Sequence, residues 1–240
     1  MTGIRRLAIR PLPAFTPYLV VSVVYLVAVL VVDTTTSSAT KGFLMPALLI
    51  GLLLALGVVR PFPRRIALLA TLGILFSWFG DVAIAQPGDL GFLFGLGGFF
   101  CAHVAYIVLF LAGLGLRRMP RLAFVYVAWW AAFVALLAPH AGALLVPLAL
   151  YGAVLGAMAA LALSGNRWLA VGGALFVVSD SLLGLHLFLP GFSFWQVDFT
   201  IMVAYIGAQG ALAVGAFVVA RRSPGEPGTL GTPGTHPAIP

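Results

Sequence analysis

The sequence predicts an all-α protein, a polytopic membrane helix bundle with eight transmembrane helices. Three observations predict it. Hydrophobic residues make up 62% of the 240-residue chain and charged residues only 8%, where an ordinary soluble domain has about 45–50% and about 25%. The apolar runs are continuous over about 20 residues, the length a helix needs to span a bilayer, and lack the alternation of a membrane β-barrel strand. The basic residues fall between these runs, where they orient spans. That placement accounts for the net charge of +7 without nucleic acid as a partner. The single cysteine, Cys101, excludes an internal disulfide and any CxxC metal or redox site.

The first span is expected over 15–32, after the basic stretch MTGIRRLAIRPLP. Its apolar run exceeds the roughly 7–15 residues of a secretory signal core, so it reads as a retained helix even though SSAT follows at 37–40. DTTTSSAT (33–40) reads as a polar loop before a second span at 42–59, with Lys41 at its entrance. The basic turn RPFPRR (60–65) leads to a third span at 66–85. QPGDLG (86–91) then breaks the helix with Pro and Gly, and a fourth span follows at 92–116. RRMPR (117–121) precedes the fifth span at 122–138, PHAG (139–142) the sixth at 143–163, and SGNR (164–167) the seventh at 168–189. PGFSFWQ (190–196) is a loop with interfacial aromatics before the eighth span, 198–220. The transmembrane domain is thus 1–220, and the Pro-, Gly- and Thr-rich stretch 221–240 is expected to be a disordered tail. Eight spans place all twelve arginines on one side and Lys41, the single lysine, on the other. The positive-inside rule then puts both termini in the cytoplasm, in the plasma membrane if the cell is prokaryotic.

An internal repeat is expected. Asp81 precedes Tyr106 of VAYI (104–107) by the same 25 residues that separate Asp180 from Tyr205 of VAYI (203–206). Upstream, MPAL (45–48) resembles VPLA (146–149). Two parallel four-helix repeats, 15–116 and 122–220, would be related by an axis along the membrane normal.

The polar residues inside the spans are the candidate site. A carboxylate at mid-membrane costs about 2.5–3.5 kcal/mol on insertion scales, so Asp81 and Asp180 need a reason. Gly73, Ser77 and Asp81 share one helix face at i, i+4, i+8. His103 and Tyr106 pair at i, i+3, and Tyr205 and Gln209 at i, i+4, on the same stripe as Asp198. Each has a structural reading as well. The carboxylates are satisfied by hydroxyls of neighbouring helices, His103 is packed, Gln209 is interhelical glue, and Lys41 snorkels to the interface. Asp81, His103, Asp180 and His186 lack metal-binding spacing, and there is no GxSxG elbow or P-loop, so no metal and no cofactor is expected.

The stretches KGFLMPALL (41–49), FSWFGD (76–81), GFFCAHVAYI (98–107), YGAVLGAMAAL (151–161), GALFVVSDSLLG (173–184) and AYIGAQGAL (204–212) resemble the YhhN family, whose eukaryotic members include lysoplasmalogenases. The resemblance marks Lys41, Gly80, Asp81, His103, Tyr106, Asp180 and Gln209. It implies a hydrolase that cleaves the vinyl ether bond of a lysoplasmalogen, a lysophospholipid in the membrane. The products would be a fatty aldehyde and a glycerophospho-alcohol. That chemistry needs a proton on the β-carbon and stabilisation of an oxocarbenium ion, a task two carboxylates perform at glycosidic bonds. On this reading Asp180, deeper in its span, is the acid, Asp81 stabilises the cation, and His103 shuttles protons. Lys41 binds the phosphate, and Ser77, Tyr106, Tyr205 and Gln209 line the substrate site. The alternatives are a small-solute or lipid transporter with a polar site between the repeats, and a structural or lipid-binding protein.

Overall fold

The computed structural model describes residues 12–116 and 119–222. Arg5, Arg6, Arg10, Arg117, Arg118 and the tail beyond Arg222 lie outside the described residues. Within them the chain is helical and has no strand. It forms α1 (Thr16–Leu30), α2 (Thr34–Gly57), α3 (Arg64–Ile84), α4 (Asp89–Val108), α5 (Phe124–Ala141), α6 (Leu145–Ala162), α7 (Arg167–Phe188) and α8 (Val197–Arg222).

Seven stretches are long and apolar enough to cross a membrane. One of them, Arg121–Ala162, is 42 residues long. As one helix it would run about 63 Å, twice the thickness of a bilayer's hydrocarbon core. It folds back instead at Gly142, whose φ of +51° and ψ of −129° no residue with a Cβ adopts without strain. The Trp130 indole N–H then reaches across to donate to the Ala149 carbonyl at 2.8 Å, so α5 and α6 form an antiparallel hairpin.

Successive helices alternate in direction. Trp78 of α3 donates to the Gly42 carbonyl of α2 at 2.9 Å, and Ser179 of α7 donates to the Ile201 carbonyl of α8 at 3.1 Å. The bundle closes on itself where Tyr18 of α1 donates to the Ile206 carbonyl of α8 at 2.8 Å. The α3 and α4 backbones come close at Gly98, where an added Cβ would lie 2.8 Å from the Gly80 nitrogen. Backbones approach this way in membranes, where small residues replace hydrophobic collapse as the means of helix association. Leucine, valine and phenylalanine side chains such as Leu54, Phe79, Val127, Leu150 and Val178 face outward. That is the surface a lipid-embedded bundle requires.

Several boundaries differ from the sequence reading. The expected loop 33–40 is the start of α2, because the Asp33 carboxylate accepts from the Thr36 N–H at 3.0 Å and caps the helix. The Thr40 hydroxyl donates back to the Thr36 carbonyl at 2.6 Å, satisfying a polar side chain without breaking the helix. Pro139 and His140, expected in a turn, belong to α5. The fourth span leaves α geometry at Leu109–Gly113, a single π-helical turn. Arg221 and Arg222 are the last residues of α8, not the start of the tail.

Candidate active site between the eight helices

All eight helices contribute to one partly open cavity of about 460 Å³. Its lining comes from the later parts of α1, α3 and α7, from the middle of α5 and from the earlier parts of α2, α4, α6 and α8, including Tyr25, Lys41, Phe99, Tyr151, Met202 and Tyr205. Because the helices alternate, these segments lie at one end of the bundle. The described arginines Arg60, Arg64, Arg65, Arg121, Arg167, Arg221 and Arg222 belong to the other end. The wall is largely apolar, with few convergent polar groups, as in a small-molecule site.

Both intramembrane carboxylates, Asp81 and Asp180, line this cavity. Asp81 sits one turn from the end of α3 and is 5% exposed. Its Oδ2 accepts from the Tyr205 hydroxyl of α8 at 2.7 Å. Asp180 lies two turns from the end of α7, with 14% of its side chain exposed, and its Oδ2 accepts from the Tyr151 hydroxyl of α6. The two carboxylates are within electrostatic range of one another, and Lys41 is the cation within range of Asp81. Lys41 shares the cavity with them and reaches it from the capped, polar start of α2.

His103 stands behind the wall and is fully buried. Its ring packs edge-on to Phe176, with centroids 4.7 Å apart, and against Tyr151 at 5.4 Å. Nε2 lies 3.9 Å from Asp180 Oδ2, and neither ring nitrogen makes a hydrogen bond of normal geometry.

The remaining expected site residues divide. Tyr205 lines the cavity. Ser77, Tyr106 and Gln209 do not; they are buried in a polar layer behind it. There the Tyr106 hydroxyl donates to Gln209 Oε1 at 2.7 Å, and Gln209 Nε2 donates to the Tyr205 oxygen at 3.4 Å. Ser77 lies beside the Tyr106 hydroxyl, on the face of α3 that also carries Asp81. Gly73 completes that face, and an added Cβ there would lie 2.6 Å from the Tyr106 ring.

Sequence reasoning gave no role to Tyr151, although it is Asp180's partner. The available signal was a lone tyrosine inside an otherwise apolar helix. Trp129 was also passed over; it lines the cavity, and its indole N–H donates to Ser181 at 2.9 Å. Among the described residues no group of three or more His, Cys, Asp or Glu side chains could hold a metal ion.

Fold and site together define a multi-pass helical membrane protein with a paired-carboxylate pocket inside the bundle. The chain belongs to the YhhN family, which it matches over residues 36–216. It is similar to proteins named lysoplasmalogenase from Mycobacterium bovis and Mycobacterium tuberculosis, each 34% identical over 177 residues, or 69% of this chain. The match spans 66% of the length of those relatives. No solved structure matches the chain significantly.

Proposed function

We propose that this protein is an integral membrane hydrolase that opens the vinyl ether bond of a lysoplasmalogen or a related ether lysolipid. The observation that carries the reading is the pair Asp81 and Asp180 on one apolar cavity, each bonded to a tyrosine hydroxyl. The names of the relatives support it.

The residues divide the chemistry as follows. Asp180, carrying a proton, delivers it to the β-carbon of the vinyl ether, which leaves an oxocarbenium ion at the α-carbon. Asp81 is the ionised partner: Tyr205 donates to it, and Lys41 lines the same cavity. Its negative charge stabilises the cation where positive charge develops, and water then adds to the α-carbon. The resulting hemiacetal loses a proton from its hydroxyl and gains one on the glyceryl oxygen. The C–O bond breaks, releasing a fatty aldehyde and a glycerophospho-alcohol, with one water consumed. Tyr151 fixes the Asp180 carboxyl, and His103, 3.9 Å behind it, is placed to accept or return its proton. Among the described residues Lys41 is the one cation of the cavity wall, and it suits the head-group phosphate.

The cavity lies at the arginine-poor end of the bundle. By the positive-inside rule that end faces outward and both termini face the cytoplasm.

The test is aldehyde release from a lysoplasmalogen by the purified protein in detergent. Asp81→Asn and Asp180→Asn are each expected to lose about 10²–10⁴-fold in rate, the usual contribution of a positioned acid or base, with thermal unfolding unchanged in form. Absence of release from a folded parent, across vinyl ether lysolipids of different head groups, would overturn the reading.

A further inference from the structure

Tyr106 and Gln209 do not line the cavity, yet they are hydrogen-bonded to one another, and Gln209 to Tyr205, in a layer with almost no exposure. We propose that they are positioning residues. With Tyr205 they form a one-way hydrogen-bond relay that commits the Tyr205 hydrogen to Asp81 and keeps Asp81 the accepting partner. The inference rests on the assignment of Asp81 as the ionised carboxylate.

The argument is one of donors and acceptors. Each tyrosine hydroxyl has one hydrogen to give, and the Gln209 amide has an accepting end and a donating end. The chain Tyr106–Gln209–Tyr205–Asp81 is continuous, at 2.7, 3.4 and 2.7 Å. It therefore has only two polarities. If Asp81 is ionised it can only accept. Tyr205 must then donate to it and accept from Gln209 Nε2, and Gln209 Oε1 must accept from Tyr106. If Asp81 is protonated and donates, every member reverses and the amide turns over. Tyr106 fills Oε1 with a hydrogen bond and so opposes that reversal. Burial strengthens the choice, because any mismatched member would be left with an unpaired polar group in an apolar layer. The relay spans three helices, α4, α8 and α3, and it ends on the helix whose Ser77 lies beside its start.

Removing the Tyr106 hydroxyl frees the Gln209 oxygen to compete for the Tyr205 hydrogen, at a distance from Asp81 and with no change of charge. Among the described residues, besides Tyr205, the titratable groups within electrostatic range of Asp81 are Lys41 on α2, Tyr18 and Tyr25 on α1, and Asp180 on α7. The substitution Tyr106→Phe leaves all of them in place.

The experiment titrates the Asp81 carboxyl stretching band by infrared difference spectroscopy in detergent, in an Asp180→Asn background, with Asp81→Asn as the blank. Tyr205→Phe is expected to move the midpoint upward by about one pH unit, the equivalent of one hydrogen bond to a charged group. Tyr106→Phe is expected to move it in the same direction by a smaller, resolvable amount. Tyr126→Phe, which removes a hydroxyl on α5 outside both the relay and the groups within range of Asp81, is expected to leave it unmoved. A Tyr106→Phe midpoint shifted no further than that of Tyr126→Phe overturns the relay. Should Tyr106→Phe fail to fold, Gln209→Met cuts the chain at its middle and is read against the same two outcomes. The titration needs no turnover, so its result is separate from the presence or absence of aldehyde release.

Discussion

Replacing Tyr151 with phenylalanine removes one hydroxyl from the cavity wall and leaves Asp180 without its tyrosine donor. The Asp180 carboxyl then loses the bond that fixes its orientation. Aldehyde release is expected to fall by about tenfold or more, since Asp180 becomes charged as it gives up its proton and a hydrogen bond to a charged group is worth about 1.5–3 kcal/mol. Steady-state rates of Tyr151→Phe against the parent, at matched folded fraction, measure it. At this scale the sequence was readable wherever charge is out of place. Asp81 and Asp180 stand out because a carboxylate in an apolar run is costly, and Lys41 because it is the only lysine. It was unreadable where a contact depends on which face of a helix meets which neighbour. Tyr151 and Asp180 are 29 residues apart on different helices, and nothing in either local pattern joins them. For the same reason Tyr106 and Gln209 were expected at the substrate and stand behind Tyr205.

At the element scale, the beginning of α2 depends on Asp33. Its carboxyl is held below the usual carboxylate range by the Thr36 side chain and the Thr36 and Thr35 backbone N–H groups. A carboxyl depressed in the folded state stabilises above its unfolded value and loses that contribution as pH falls through the folded value. Amide exchange over residues 34–40 is therefore expected to quicken, beyond the intrinsic pH trend, only at pH below the ordinary carboxylate range. In Asp33→Ala that excess is expected to be present at neutral pH. Mass spectrometry of the exchanged protein in detergent reads both. The hairpin between α5 and α6 depends on Gly142 in the same local way. Gly142→Ala forces a Cβ into a conformation open essentially to glycine, at a cost of about 1–3 kcal/mol, seen as a lowered thermal midpoint. Element identity was legible because the apolar runs have the length of a membrane span. Element ends were less so. Threonine and serine read as loop formers by composition, yet in α2 their hydroxyls bond back along the helix, and the Asp33 cap starts the helix about two turns early.

For the whole molecule, the alternation of eight helices puts every described arginine at one end and the cavity at the other. Orientation in the membrane is testable with single cysteines in a Cys101→Ala background, since Cys101 is exposed. A membrane-impermeant maleimide is expected to label Ser38→Cys in intact cells and Phe62→Cys only after permeabilisation. The opposite pattern would reverse the topology. The bundle and its spans were legible from hydropathy alone, and the gathering of the described arginines at one end from their places between the spans. The closure of α8 onto α1 was not, because it joins the two ends of the bundle through backbone and packing contacts with no sequence signature. The confinement of the cavity to one half of the bundle has a mechanical consequence. A single-chain lipid is wedge-shaped and crowds the monolayer it occupies. A cavity in one half is supplied by one monolayer, so under the proposed chemistry each turnover relieves lateral pressure on that side alone. The soluble head fragment departs into water while the aldehyde stays behind in the same sheet. Sustained activity would shrink one sheet relative to its partner and bend the membrane away from it, unless lipid crosses from the far side to restore the balance.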